Sequence, residues 1–310
     1  VVRRRDRLPG GRTPGRRRLA LALPAGGAAG GHSGAGRDGA ATAAAGAGGS
    51  GNTYPAQLAT LTGRTVLSRG LGGQAGDQVI ARQGGIGATV TVSGNQIPAS
   101  GAVSVTAISI TLLNYSGGDQ SLTGTLAGIS GTLSQSGGSY TFTRTIAGTA
   151  TACFPGTNFI PDQGDNQFYL PVFWIGRNQF NYAQSAGGLS DQVANVKANI
   201  AEAIDFLRPV DKRFIVLGVS SGANAFEYVG TDNYNAKRTL AAALARSYPQ
   251  NFIDIDSVLV NSGTGSGQDL TDFNNGIVPA SLRADDQHLN ASGYAIVAQQ
   301  VKNLITSRGW

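Results

Sequence analysis

Residues 284–294 read Ala-Asp-Asp-Gln-His-Leu-Asn-Ala-Ser-Gly-Tyr and hold one of the two histidines of the chain. Asp285 precedes His288 by three residues, and at this separation a tight turn lets the carboxylate accept a hydrogen bond from the imidazole. This predicts the orienting half of a catalytic triad. The same residues would also fit an ordinary, partly buried histidine beside solvated aspartates.

A helix is predicted directly after this stretch. Asn290 and Ser292 are both able to cap its start. Apolar residues then recur at helical spacing: Tyr294, Val297, Val301, Leu304 and Ile305. The Asp285/His288 pair is therefore expected on a loop that opens the C-terminal helix.

The pattern Asp-x-x-His-x-Asn-x-x-Gly-Tyr before an amphipathic helix resembles the last sequence block of the SGNH, or GDSL, hydrolases, which include esterases and lipases. The resemblance implies an α/β fold with a parallel sheet between two helix layers. It also implies ester hydrolysis by acyl transfer, with Asp285 orienting His288. No metal and no organic cofactor is implied.

A near-continuous apolar run at residues 167–175 predicts a buried parallel strand, and it ends in Gly176-Arg177-Asn178-Gln179. This resembles the third SGNH block, in which the asparagine, here Asn178, donates a hydrogen bond to the oxyanion. Gln179 stands where the family usually has aspartate. A Gly-x-Asn turn after a strand is also common without any function.

Residues 64–67 predict a short strand, which leads into the glycine-rich segment 70–76. As a phosphate-binding turn the fit is poor, because the third glycine position falls on Ala75. The segment resembles the second SGNH block, which implies that Gly73 offers its backbone N–H to the oxyanion.

Further along, residues 193–207 and 235–248 have helical periodicity, and residues 213–218 and 252–256 predict strands. This alternation indicates a doubly wound α/β domain with its site at the carboxyl ends of the strands. We expect residues 46–85 and 161–310 to form that domain.

Residues 86–160 differ, because strand-like segments alternate with Ser/Gly turns and no helical period interrupts them. They predict an inserted small antiparallel β domain, a sandwich or barrel. Either it is scaffold, or it binds a carbohydrate, with Tyr115 and Tyr140 as stacking platforms.

Residues 1–45 are rich in Arg, Gly and Ala and predict a disordered tail. The first 50 residues hold nine arginines and two aspartates, whereas the other 260 hold 15 basic and 16 acidic side chains. Without accompanying aromatic residues, this charge gives little support to nucleic-acid binding. Arg16-Arg17-Arg18 before Leu19–Leu23 resembles a secretory signal, so we expect a secreted or cell-surface protein.

The family's nucleophilic serine lies in an N-terminal Gly-Asp-Ser block, and Thr42 occupies its position in this chain. The extra methyl of threonine is unfavourable at a nucleophile. The composition of residues 1–45 suggests a further hypothesis, namely that they are an out-of-frame start of a GC-rich gene that has lost the block.

Two alternatives remain. Strand-like residues 214–218 run into Gly218-Val219-Ser220-Ser221-Gly222, a Gly-x-Ser-x-Gly pattern typical of α/β-hydrolases with Ser220 as nucleophile. In that fold, Asp254, Asp256 or Asp272 would be the acid. The other alternative is a non-catalytic carbohydrate-binding or surface protein.

The sequence therefore predicts an esterase that acts on a small-molecule or polysaccharide ester. We expect a monomer, with no nucleic-acid partner. No apolar run in the chain is long enough to span a membrane.

Overall fold

The computed structural model describes residues 19–22, 53–113, 120–162, 167–181 and 188–310, and of residues 19–22 only the backbone. The strands are β1 (Leu19–Ala22), β2 (Val66–Ser68), β3 (Ala88–Val92), β4 (Gln96–Ile97), β5 (Ala102–Ile108), β6 (Gln120–Leu126), β7 (Ile129–Ser136), β8 (Ser139–Arg144), β9 (Thr151–Ala152), β10 (Thr157–Pro161), β11 (Leu170–Phe173), β12 (Ile215–Leu217) and β13 (Phe252–Ile253). The helices are α1 (Tyr54–Thr62), α2 (Gly76–Gln83), α3 (Arg177–Asn181), α4 (Gly188–Asp205), α5 (Asp232–Ser247), α6 (Ile255–Val260), α7 (Gly267–Asn274) and α8 (Ala291–Ser307).

Five strands form a parallel sheet in the spatial order β13-β12-β11-β1-β2. Numbered along the chain, this is the 2-1-3-4-5 order of a doubly wound sheet. The strand order reverses between β1 and β11. In such sheets, ligands bind outside the carboxyl ends of the strands at this reversal.

Helices cover both faces of this sheet because its inner strands are apolar on both sides. Val172 and Ile215 face a core shared with α1, α6 and α8. The next residue of each strand, Phe173 and Val216, faces a second core shared with α2, α4 and α5. The predicted mixed α/β architecture is confirmed.

The antiparallel strands form a closed barrel in the order β10-β3-β5-β8-β7-β6, with its own apolar core. Two of its core rings, Phe142 and Phe159, meet edge to face at 6.4 Å. Gly131 makes room for this packing, since a Cβ there would clash with the Phe142 ring. The only cysteine of the chain, Cys153, is a free thiol buried in the barrel core. The expected antiparallel β region is therefore present, as a barrel.

The prediction of a disordered tail is wrong for residues 19–22. Their backbone pairs in parallel with β11 on one side, Leu19 opposite Leu170, and with β2 on the other, Leu19 opposite Val66. Four Leu and Ala residues carry little strand preference of their own. Ladders on both sides decide the conformation, and these partners lie far away in the sequence. The rest of residues 1–45 lies outside the described residues.

No helix within the described ranges combines the length and the apolarity that a membrane crossing requires.

Candidate active site

A loop closed by a β-bridge between Arg283 and Leu289 carries the predicted acid and base. Asp285 Oδ1 accepts hydrogen bonds from the backbone N–H groups of Gln287 and His288, both at 2.7 Å. Asp285 Oδ2 lies 2.6 Å from His288 Nδ1. The contact that the sequence spacing predicts is therefore present. With Nδ1 held by the carboxylate, Nε2 is the ring nitrogen left to exchange a proton.

The loop also keeps Asp285 charged. Burial would raise the pKa of its carboxyl group, but the N–H donors of Gln287 and His288 and the imidazole outweigh burial and lower it. An ionised carboxylate at Nδ1 stabilises the imidazolium that forms when Nε2 takes up a proton. The His288 side chain is 19% exposed, so it is held by protein yet open on one side.

Asn290 fastens this loop to the following helix. Its Oδ1 accepts hydrogen bonds from the N–H groups of Ser292 and Gly293 at 2.9 and 3.1 Å, which caps α8 as predicted. Its Nδ2 donates to the carbonyl oxygens of Ser281 and Arg283 at 2.8 and 3.2 Å. One side chain therefore ties the loop at both ends and limits the movement of His288.

The two predicted oxyanion donors follow different strands, β2 and β11, and lie on one groove. Gly73 adopts a φ of +77°, in the left-handed region that favours glycine. Asn178 lies in the first turn of α3, and its Nδ2 donates to the carbonyl oxygen of Gln74 at 2.9 Å. This hydrogen bond joins the two turns directly.

The Asn178 amide retains capacity for a ligand. An amide nitrogen carries two hydrogens, and the Gln74 carbonyl takes one of them. The side chain is 2% exposed, and its Oδ1 has no hydrogen-bond partner among the described residues. A buried amide held at one N–H is rigid enough to aim the other.

The loop after β12 connects the Asn178 turn to the histidine loop. Arg177 Nη1 donates to the Ser220 carbonyl oxygen at 3.0 Å, and Ala223 N–H donates to the Asp286 carbonyl oxygen at 2.7 Å. Gly222 lies between them, where a Cβ would clash with Arg177 Nη2 and come within 2.6 Å of the Asp286 carbonyl. The carboxyl ends of β11 and β12 and the Asp285/His288 loop thus share one edge of the sheet.

A buried cluster of charged side chains, Arg177, Glu227 and Lys237, stabilises this edge of the sheet. Glu227, which is fully buried, accepts hydrogen bonds from Arg177 at 2.5 and 2.8 Å and from Lys237 Nζ at 2.6 Å. It also accepts from Gly222 N–H and Asn224 Nδ2, both at 3.1 Å. The carboxylate therefore holds Arg177, and with it the start of α3, against the loop after β12.

Charge complementarity keeps Glu227 ionised in spite of its burial. Burial would raise the pKa of its carboxyl group, but Arg177 and Lys237 outweigh burial and lower the pKa to about 2. Losing either cation would leave a buried charge without full compensation, which is strongly destabilising.

Comparison with known proteins gives only distant similarity. No family model matches the chain. Over 290 residues the chain is 26% identical to the tail spike protein of Salmonella phage epsilon15, covering 82% of this chain but only 25% of the tail spike protein. The chain thus spans about a quarter of that relative's length.

Two solved structures are similar at low sequence identity. One is the salicylyl-acyltransferase SsfX3 from a tetracycline biosynthetic pathway, with a TM-score of 0.44 and 12% identity, covering 96% of this chain and 56% of that one. The other is a proposed arylesterase from Agrobacterium tumefaciens str. C58, with a TM-score of 0.42 and 15% identity, covering 94% and 99%. These similarities do not assign the chain to a family.

Ser220, the alternative nucleophile, does not lie in a nucleophile elbow. Such an elbow is a strained turn directly between a strand and a helix. Among the described non-glycine residues, only Asn95 and Ala127 have positive φ, and a 3₁₀ turn follows Ser220 before α5 begins at Asp232. The neighbouring Ser221, not Ser220, donates its hydroxyl to a buried carboxylate, that of Asp256, at 2.8 Å.

The three carboxylates proposed as the acid of that alternative bind partners other than His288. Asp254 pairs with Arg238 at 2.6 Å, and Asp272 pairs with Arg283 at 2.7 Å. Asp256 accepts from the N–H and hydroxyl of Ser221. The ring nitrogen contact of His288 is with Asp285.

Two of the predicted residues, Thr42 and Tyr115, lie outside the described residues. Tyr140 is described, and its hydroxyl donates to the Leu113 carbonyl while accepting from the Leu113 N–H at 3.0 Å. Its ring is only partly exposed. Tyr140 is therefore tied to the barrel, and its stacking role stays a prediction.

Sequence reasoning missed the Arg177–Glu227–Lys237 cluster, whose members are separated by 50 and 10 positions. The one local signal was a charged residue, Arg177, directly after a buried strand. As for metals, the described part of the chain holds no group of three or more His, Cys, Asp or Glu side chains suited to one.

Proposed function

We propose that this protein is a carboxylic ester hydrolase of the SGNH type. The observation that carries the proposal is the Asp285–His288 pair, at 2.6 Å, on the sheet edge that also holds Asn178. A carboxylate on Nδ1 and a free Nε2 are the requirements for a general base in acyl transfer. The 2-1-3-4-5 strand order and helices on both faces of the sheet agree with this type of fold.

In the proposed mechanism, a hydroxyl attacks the ester carbonyl while His288 Nε2 takes its proton. The developing oxyanion accepts hydrogen bonds from Gly73 N–H and from the second N–H of Asn178. The imidazolium, stabilised by Asp285, then protonates the leaving alcohol. Water repeats the sequence on the acyl-enzyme and releases the acid.

The strand order supports a proposal for the position of the nucleophile. The carboxyl end of β1, at Ala22, lies beside β11 at the reversal of the strand order, next to the Asn178 turn. We therefore assign the nucleophile to the segment that follows β1. Thr42 is the residue of that segment at the family's serine position.

Covalent labelling of the full chain tests this assignment. The protein is incubated with a fluorophosphonate, which modifies activated hydroxyls, and the labelled peptide is mapped by mass spectrometry. Label within residues 23–52 that is lost in His288→Ala supports the proposal. Label on Ser220 would establish the α/β-hydrolase alternative.

A second candidate function is a non-catalytic binding or surface protein. It is favoured by the similarity to a phage tail spike protein over 82% of the chain, and by threonine at the serine position. Absence of both label and ester turnover, with an intact thermal transition, would select this candidate. Secretion, a monomeric state and carbohydrate binding by the barrel remain proposals, to be tested by localisation, sedimentation and affinity gels.

A further inference from the structure

A groove beside the candidate oxyanion hole is lined mainly by amide side chains. Its cavity volume is about 490 Å³. Gly73 and Asn178 lie on it, so the groove adjoins the position of a reacting carbonyl. The other polar residues that line it are Asp77, Gln179, Gln192, Asn195 and Asn199.

Two of these amides, Gln179 and Asn199, converge instead of pointing to bulk solvent. Over Gly76, the Gln179 Nε2 and Asn199 Nδ2 atoms come so close that an added Cβ would lie 2.9 Å from each. Gln192 and Asn199 are 6% and 7% exposed. The absence of a side chain at Gly76 is therefore what lets the two amides meet there.

Two of the amides have unused hydrogen-bonding capacity. Asn178 Oδ1 and Gln179 Oε1 are buried without a partner among the described residues, and Gln179 is only 8% exposed. A buried acceptor without a partner costs about 1–3 kcal/mol. Both acceptors belong to residues that line the groove, and a hydroxyl group is a suitable donor for such an acceptor.

The groove's chemistry restricts that ligand further. Among the described residues, its lining includes no Lys, Arg or His and a single charged side chain, that of Asp77, so an anionic ligand is disfavoured. The described residues contribute two apolar side chains to it, those of Ala75 and Ala198, which is too little to bury a long acyl chain. Amides both donate and accept, and hydroxyl groups do the same, so the two pair well.

From these observations we infer that the groove binds the hydroxyl-rich part of a neutral carbohydrate ester. This inference rests on the proposed ester hydrolysis and narrows its substrate to acylated carbohydrate, as opposed to lipid. The ester carbonyl would then lie at the Gly73/Asn178 end of the groove, and the sugar along α4.

Binding to the full chain is measured by calorimetry, with xylobiose, cellobiose and chitobiose and their mono-O-acetyl derivatives as probes. Ethyl butyrate serves as an ester without hydroxyls. We expect the acetylated disaccharides to bind. Because one hydrogen bond contributes modestly, Asn195→Ala at the exposed rim should weaken this binding about 2- to 10-fold, and Gln192→Leu at least as much.

The matched control is Asn303→Ala, an exposed amide on α8, which should leave binding unchanged. Equal weakening by Asn303→Ala, or binding of ethyl butyrate but of no disaccharide, would overturn the inference. So would a lack of binding by any probe. Ester turnover, measured separately as acetate release from the acetylated disaccharides and butyrate release from ethyl butyrate, tests the enzyme itself: disaccharide binding without turnover upholds the groove and rejects the hydrolase. Turnover of ethyl butyrate without disaccharide binding upholds the hydrolase and rejects the groove as a carbohydrate site.

Discussion

The histidine loop and the Arg177–Glu227–Lys237 cluster hold the same edge of the sheet by opposite means. Asp285 binds Gln287 and His288, two and three residues ahead in the chain. Glu227 binds Arg177, which is 50 residues earlier. The loop is partly open to solvent, whereas the cluster is fully buried. We therefore expect catalysis to depend on the histidine loop, and the stability of this edge of the sheet to depend on the Arg177–Glu227–Lys237 cluster.

The largest expected effect is on catalysis and comes from the loop. Replacing His288 with alanine removes the proposed general base, so turnover of p-nitrophenyl acetate should fall about 10²- to 10⁴-fold. The thermal midpoint should change little. Asp286→Asn, at the exposed carboxylate next to Asp285, is the matched control and should keep its activity. Full activity in the His288→Ala variant would contradict the hydrolase assignment.

The cluster predicts a large loss of stability. Glu227→Ala leaves two buried cations without their carboxylate, and breaking a buried pair costs roughly 3–5 kcal/mol. Urea unfolding followed by circular dichroism measures the change. Glu202→Ala, the same substitution at an exposed site on α4, should leave the midpoint near that of the parent. Similar midpoints for the two variants would mean that the cluster does not hold the edge.

The contribution of the cluster to folding stability should also be measurable in the unmutated protein, as a loss of stability at acidic pH. The pKa of Glu227 in the folded state, about 2, is below its ordinary value of 4.5. A depressed carboxyl pKa gives stability that is fully present above the unfolded value and is lost as pH falls towards the folded value. Stability should therefore decline between about pH 4.5 and 2, by up to about 3 kcal/mol from this group. In Glu227→Gln this part of the decline should vanish, and an unaltered acid profile would contradict the assigned pKa.

Asn178 links the two regions, because its neighbour Arg177 belongs to the cluster while its own amide faces the groove. Removing one oxyanion donor typically costs 10²- to 10³-fold in turnover, so Asn178→Ala should lose roughly 100-fold. Asn178→Asp keeps the shape and lacks the N–H, and it should lose at least as much. Steady-state kinetics distinguish two roles for Asn178. A rise in KM at constant kcat would mean that Asn178 binds the substrate and does not stabilise the oxyanion.

The smallest effect is expected at Ser220. Its carbonyl oxygen binds Arg177, and the described contacts give its hydroxyl no catalytic partner. Ser220→Ala should therefore change ester turnover less than about twofold, within the range of a neutral substitution. If turnover disappears while the thermal midpoint is kept, the α/β-hydrolase alternative replaces our proposal.

The sequence by itself determined the features that depend on near neighbours. The Asp285–His288 contact and the Asn290 cap each span three residues or fewer, and a turn fixes such geometry locally. The alternation of apolar runs likewise predicted the order of helices and strands, because burial on both faces of a sheet imposes an apolar run on each strand.

Only the tertiary structure decided the rest. Residues 19–22 became a strand because β2 and β11 offer hydrogen bonds on both sides, not because Leu and Ala prefer extended backbone. Glu227 lies at 0% exposure because Arg177 and Lys237 meet it there. Contacts between residues far apart in the chain set these positions, and the local sequence carries little record of such partners.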